Sequence, residues 1–466
     1  MKREDKLIKN TAILSIGTAF SSVFSFILVP IFSRWLSTSD YGTYDVYLTY
    51  VTLLIPVVTL ACGEATFRFL LDCKTEEEKS NLLSCTWFIS IIGIAVGIIV
   101  AIIVFNVMDM PQLLPFIALF ISFMLYNQGN YMARGLRKLS VYTIANILYL
   151  VFMAIFVSLF VFFNNWGLAG ILYGNAIGHF VGFVYLAYAC KMWRYVEFKK
   201  PKWSEAKKVI SYSAPLMPNS ISWWIVNVSD RSIINIVLGA SFNGIYAISY
   251  KLPSLCSTVF GVFHMSWLES AVDSVNDSDR NEYTNSVLNS IVPFCFSVAA
   301  GVLAINRYFY KWIWDAKYID GIYYVWILLL GVSFSFIAQF LGGLLIAEKK
   351  TKENGLTTVI AAIVNIVIHI AMIWRTGLYA AAVSTCLSYA FLLAIRVFLL
   401  RNTFKFKIHN MSYISILLFG IIVALQFSNN EIVGFIAFII AVIGFIFINK
   451  KLILNILNKM LRKGKR

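Results

Sequence analysis

The chain has 466 residues, of which 59% are hydrophobic and only 13% charged, and its mean hydropathy is +0.77. A soluble domain is about a quarter charged, so this composition belongs to an integral membrane protein with many spans. The formal net charge of +16 would point to nucleic acid in a soluble protein. Here it reads as membrane topology, and no nucleic-acid partner is expected.

Runs of about 20 apolar residues mark spanning helices. In chain order they are read at 11–36, 42–71, 81–106, 113–133, 141–163, 168–190, 208–238, 242–272, 284–306, 320–347, 354–374, 377–400, 412–428 and 431–449, fourteen in all. The first run follows residues 1–10 directly and lacks a small-residue cleavage site, so it is expected to stay as a span. With the N terminus in the cytoplasm, 30 of the 39 Lys and Arg fall in cytoplasmic segments and 4 in outer ones. This bias sets the orientation, places both termini in the cytoplasm and agrees with an even number of spans.

The longest cytoplasmic connection, 191–208, is basic and aromatic and is expected to lie along the membrane surface. It separates two sets of six spans. The expected organisation is a first lobe at 1–190, a linker at 191–207 and a second lobe at 208–400. Two further spans and a basic tail follow at 401–466. The two sixes read as repeats. Leu36-x5-Gly42-x-Tyr44 recurs as Leu238-x5-Gly244-x-Tyr246, and Gly167-Leu168 as Gly377-Leu378. Six is even, so both copies keep one orientation and are related by an axis along the membrane normal. Gly170, Gly174, Gly178 and Gly182, spaced by four, are read as a close helix-packing face.

Residues 211–244 are apolar enough to span, yet they carry Asp230 and Arg231 at depth. One charge near mid-membrane costs about 2.5–3.5 kcal/mol on insertion scales. On a helical projection Asn219, Asp230, Asn227, Ser220 and Arg231 share roughly a third of the circumference. That face is expected to line a wet cavity, and the plainer alternative is a buried ion pair locking two helices. Trp223 lies within the arc and offers a ring for stacking on a sugar. Arg34 and Lys251 are candidates to face the same cavity and make it partly cationic, suited to an anionic solute. Glu64 and Arg68, at i and i+4, are expected to meet on one face, in gating, coupling or a salt bridge. Glu64 and Asp230 are also candidates for Na⁺ or proton coupling. Asp45 is expected near the outer end in a solvated position, and Arg396 is expected to snorkel inward.

The seven cysteines are scattered without C-x-x-C, so neither a disulfide framework nor a metal site is expected. There is no G-x-x-x-x-G-K-[ST] and no H-E-x-x-H. His179, His264, His369 and His409 lack ligand spacing. Outer connections are short. An enzyme is not expected, and no cofactor beyond a coupling ion.

Two segments carry a resemblance. N-T-A-I-L-S-I-G…P-I-F-S-R-W-L-S-T-S-D-Y-G-T-Y (10–44) resembles the opening of Wzx-type polysaccharide flippases of the MOP exporter superfamily. P-N-S-I-S-W-W-I-V-N-V-S-D-R-S-I-I (218–234), followed by L-G…G-I-Y, is similar to that family's seventh span. The resemblance covers nearly the whole chain. It implies an all-α membrane fold of two six-helix lobes forming a V, plus two C-terminal helices, working by alternating access. It implies translocation of undecaprenyl-diphosphate-linked oligosaccharide repeat units across a bacterial inner membrane for O-antigen, capsule or exopolysaccharide. Membrane lipids, a polymerase and a chain-length regulator are the implied partners. The family's cationic lumen residues map onto Arg34, Arg231 and Lys251. Two relatives stay open as alternatives: the lipid II flippases, and the cation-coupled small-molecule exporters of the MATE branch.

Overall fold

A computed structural model describes residues 24, 26–197, 203–428, 430–450 and 453–454. Among these, every regular element is helical. Nine described helices are long and apolar enough to cross a membrane, or ten if one bent pair counts as a single span. Most of the span expected at 11–36 lies outside the described residues, as do parts of the linker and of the basic tail.

The chain forms two compact units, Met1–Gly244 and Ile245–Arg466. The first begins with α1 (Phe26–Trp35) and α2 (Thr38–Val58). Ser37 caps α2 by accepting the Asp40 N–H at 3.0 Å, satisfying one orphan donor of the first turn. The span expected at 42–71 is broken. Pro56 lies inside α2, Leu60 and Ala61 take left-handed φ of 51° and 54°, and α3 (Cys62–Leu70) leaves at 63° to α2. Proline removes one ladder donor, and two non-glycine residues in the left-handed region complete the turn.

Next come α4 (Glu76–Val107), opened by a Thr75/Glu78 capping box, α5 (Leu113–Gly135), α6 (Leu139–Val157) and α7 (Gly167–Ala189). The glycine face of α7 packs as expected. A Cβ on Gly174 would come within 2.6 Å of the Val157 backbone nitrogen, and one on Gly178 within 2.7 Å of the Tyr149 carbonyl. After the linker, α8 (Trp203–Ser213) buries Ala206 and Val209 in a core with Trp87, Tyr126, Leu70 and Leu83. Then α9 (Met217–Val237) opens on Pro218, after a short turn containing Pro215. α10 (Ala240–Ser249) follows.

The second unit holds α11 (Lys251–Asp273), α12 (Arg280–Tyr308), α13 (Val325–Ala347), α14 (Thr351–Thr376), α15 (Leu378–Leu400), α16 (Asn410–Gln426) and α17 (Glu431–Ile448). Arg396 does not snorkel. It is 4% exposed and donates to the Ala338 carbonyl at 2.6 Å, Thr358 Oγ1 at 3.0 Å and the Asn354 carbonyl at 3.3 Å. A side chain at Gly342 would collide with its guanidinium, 2.6 Å from Nη1. Buried carbonyls and hydroxyls outcompete the membrane surface because they satisfy the guanidinium where it already lies.

Candidate functional site

The break between α2 and α3 opens a pocket of about 250 Å³, lined on α2 by Thr52, Ile55, Pro56 and Thr59. Ala61, Gly63 and Glu64 line it at the bend, Phe123, Asn127 and Tyr131 from α5, and Ser220 from α9. Among the described lining residues the polar groups are hydroxyls, an amide, a phenol and one carboxylate, with no cation. Such a set can hydrogen-bond sugar hydroxyls, and Glu64 gives it a negative charge.

Glu64 does not meet Arg68. It accepts from the Tyr131 hydroxyl at 2.9 Å, while Arg68 pairs with Asp72 at 2.5 Å. Both partners follow from the short helix. Asp72 stands four residues beyond Arg68, just past the end of α3, and α5 brings Tyr131 across. Gln128 Nε2 donates to Thr66 Oγ1 at 3.0 Å, fixing α3 on α5.

Toward the other end of α2 the polar residues are sealed against α9. Arg231 Nη1 lies 2.8 Å from Asp45 Oδ1, and the Trp224 indole donates to the Thr49 carbonyl at 3.0 Å. Residues 220, 224 and 231 share one face of α9, and 45, 49 and 52 one stripe of α2. The numbers rise along one helix as they fall along the other, so the helices run antiparallel. Asp45 is therefore not solvated: it is 5% exposed, and its Oδ2 has no hydrogen-bond partner. Arg231 takes the ion-pair role named above as the plainer alternative. Asp230 is buried beside it on α9.

Beyond the ion pair the two copies of the glycine motif meet. A Cβ on Gly42 would lie 1.9 Å from the Ala240 carbonyl oxygen, and one on Gly244 would lie 2.1 Å from the Thr38 carbonyl oxygen. Thr38 and Ala240 are themselves equivalent positions of the repeat. Asn243 Nδ2 adds a bond to the Gly42 carbonyl at 2.8 Å. This seam brings backbone against backbone, which only glycine permits.

Two of the remaining candidates, Arg34 and Lys251, have described side chains. Arg34 is exposed at the end of α1. Lys251 is half-buried at the start of α11, in the second unit. Trp223 and Asn227 are carried on α9, but their side chains lie outside the described residues. The signal for the pocket was in the sequence: Asp45, Thr49, Thr52, Pro56 and Thr59 stand at spacings of four and three, a polar stripe along one helix face.

Known proteins carry the same architecture. The lipid II flippase MurJ in an inward closed conformation aligns with a TM-score of 0.73 at 14% identity, covering 95% of this chain and 99% of that one. An inward-facing multidrug resistance MATE transporter of the MOP superfamily aligns at 0.61, also at 14% identity, covering 82% and 96%. These likenesses show the fold alone. In sequence, the probable low-salt glycan biosynthesis flippase Agl15 of Haloferax volcanii is 24% identical over 196 residues, 41% of each chain. The match thus spans about two fifths of that relative's length. The profile of the family described as polysaccharide biosynthesis protein matches residues 7–268, more than half of the chain, and the protein belongs to that family.

Proposed function

We propose that the protein is a flippase that carries a lipid-linked saccharide across a membrane by alternating access. The observation that carries this reading is the division of the α2–α9 face: a polar pocket at the helix break, and a seam closed by Gly42, Gly244 and the Arg231–Asp45 pair beyond it. A site accessible at one end and shut at the other is what alternating access requires. With the termini in the cytoplasm, as the loop charges suggest, the seam would lie on the outer side.

The sugars enter the pocket, where Thr52, Asn127, Tyr131 and Ser220 offer hydrogen bonds. The lipid tail stays in the bilayer. The diphosphate competes with Asp45 for Arg231, since a guanidinium pairs with phosphate in the same two-pronged geometry as with carboxylate. Releasing Asp45 opens the seam. Arg34 and Lys251 join Arg231 in this reading as the lumen cations, with Trp223 and Asn227 as sugar contacts on α9. Fourteen spans in two six-helix lobes plus a terminal pair, with both termini in the cytoplasm of a bacterial inner membrane, complete it.

Two finer substrates remain. A lipid II-type substrate has the support of the fold, which matches over 95% of the chain. A polysaccharide repeat unit on undecaprenyl diphosphate has the support of the family match. A second reading, cation-coupled export of a small molecule, is favoured by one observation: among the described lining residues the charge is the acid Glu64. Purified protein in sealed vesicles decides among them. We expect enzymatic or lectin access to a lipid-linked oligosaccharide, or to lipid II, to rise on the far side. Export of a cationic dye with no saccharide movement would overturn the flippase reading.

A further inference from the structure

Each unit pins a strap of its own chain to one of its helices, and the bonding pattern is the same in both. In the first unit the chain leaving α7 passes α4. Ser84 Oγ donates to the Tyr195 carbonyl at 3.1 Å and accepts the Glu197 N–H at 2.8 Å, and Ser80 Oγ adds a bond to the Tyr195 carbonyl at 2.9 Å. In the second unit the chain leaving α15 passes α12. Asn285 Nδ2 donates to the Lys405 carbonyl at 2.9 Å, and Asn285 Oδ1 accepts the Lys407 N–H at 2.7 Å. One turn on, Asn289 repeats this with the Lys407 carbonyl and the His409 N–H, both at 2.7 Å, and Asn281 Oδ1 accepts the Lys405 N–H at 3.3 Å.

In both units one side chain bridges the carbonyl of strap residue i and the N–H of i+2. Helix residues four apart face the strap, as the helical period requires. The strap residues Tyr195 and Glu197 stand in the same offset to Lys405 and Lys407 as Gly167 does to Gly377 in the repeat. Ser84 and Asn285 are related by nearly the offset that relates Gly42 to Gly244. The two devices therefore occupy equivalent places in the repeat, although their side chains differ. Because the helix reads backbone and not side chains, the straps are free to diverge, and no sequence motif marks them.

We propose that the two straps are one duplicated joint, which fastens the segment leaving α7 to α4 and the segment leaving α15 to α12, and which stays closed throughout the transport cycle. In the second unit it fastens the lead into α16 to α12. Farther along, Asn449 Nδ2 bonds Ser297 Oγ at 2.8 Å, Arg307 bonds the Ser428 carbonyl, and Lys311 pairs with Glu431. The helix pair α16–α17 is thus tied to α12 at several levels and moves with it. The permanence of the joint rests on the rocking movement of the flippase reading; its existence does not.

Hydrogen exchange on the full-length protein in vesicles tests both parts. The amides of Glu197, Lys407 and His409 should be protected in the wild type. Asn285→Ala should speed exchange at Lys407, and Asn289→Ala at His409, by about 5–10-fold for each bond lost. Ser84→Ala should do so at Glu197, and Ser84→Thr should restore protection. Exchange within α4 and α12 away from the straps reports whether each variant is folded. Wild-type amides exchanging at open-chain rates would overturn the joint. For permanence, protection is compared in the wild type and in Gly42→Ala, which forces the outer seam apart. Equal protection supports a fixed joint, and loss of protection in Gly42→Ala would show a gate instead. Neither readout needs a substrate, so failure here is separate from failure to transport.

Discussion

Replacing Gly42 with alanine puts one methyl into the seam. That methyl would sit 1.9 Å from the Ala240 oxygen and 2.6 Å from the Gly244 nitrogen, where ordinary contact begins at 3.4 Å. Both neighbours are backbone, so no side chain can turn aside, and the helices must part by about 1.5 Å. Overpacking of this kind costs about 1–3 kcal/mol. If the cost falls only on the closed state, the open form gains about 5–150-fold in relative population. Gly244→Ala acts from the other side, against the Thr38 carbonyl at 2.1 Å. The assay is labelling of Tyr41→Cys by a membrane-impermeant thiol reagent from outside, with the seven native cysteines replaced. Tyr41 is 2% exposed, so labelling reports opening. Both glycine variants should label faster. Gly301→Ala, whose Cβ meets nothing within 4 Å, should not. Folded Gly42→Ala and Gly244→Ala proteins labelling at the parent rate would refute the seam as the element that holds the outer side shut.

Other expectations follow from single contacts. Asp45→Ala leaves Arg231 without its carboxylate, and Arg231→Ala leaves a buried carboxylate; each should destabilise by about 3–5 kcal/mol. The double variant should lose less than the sum, and a thermal-unfolding cycle showing simple additivity would dismiss the coupling. Tyr131→Phe removes the hydroxyl that donates to Glu64, and Glu64→Gln removes the carboxylate from the pocket lining. Both should lower transport while leaving the unfolding midpoint in place, and normal transport in both would exclude the pocket from the path. Arg396→Leu removes its bonds to the buried Ala338 carbonyl and to the half-buried Asn354 and Thr358, at about 0.5–1.5 kcal/mol or more for each, so the purified protein should unfold at lower temperature. An unchanged midpoint would contradict the burial described for it.

The membrane class was legible because apolar length is a local property. Gly42 and Gly244 were paired by spacing alone, and in the structure they touch. What the sequence withheld was depth and partnership. Asp45 lies near one end of its span, which reads as solvated. Its partner is 186 positions away on α9, and no local pattern links them. Glu64 and Arg68 have helical spacing, but the bend lets α5 supply a phenol to Glu64, and Asp72 takes the arginine. Pro56 was visible, yet the break also needed two left-handed residues, Leu60 and Ala61, whose side chains carry no such signal. The polar stripe from Asp45 to Thr59 was readable. It was obscured because its members are mostly threonines, which are unremarkable in a span one at a time.

Translocation by the proposed route requires α2 and α9 to separate. The most direct measurement places cysteines at Thr49 and Trp224, joins them with a short reducible thiol-to-thiol cross-linker, and follows lipid-linked saccharide movement in sealed vesicles. The cross-linked protein should be inactive and should regain transport when the linker is reduced. Transport at the uncross-linked rate with the link intact would contradict the account.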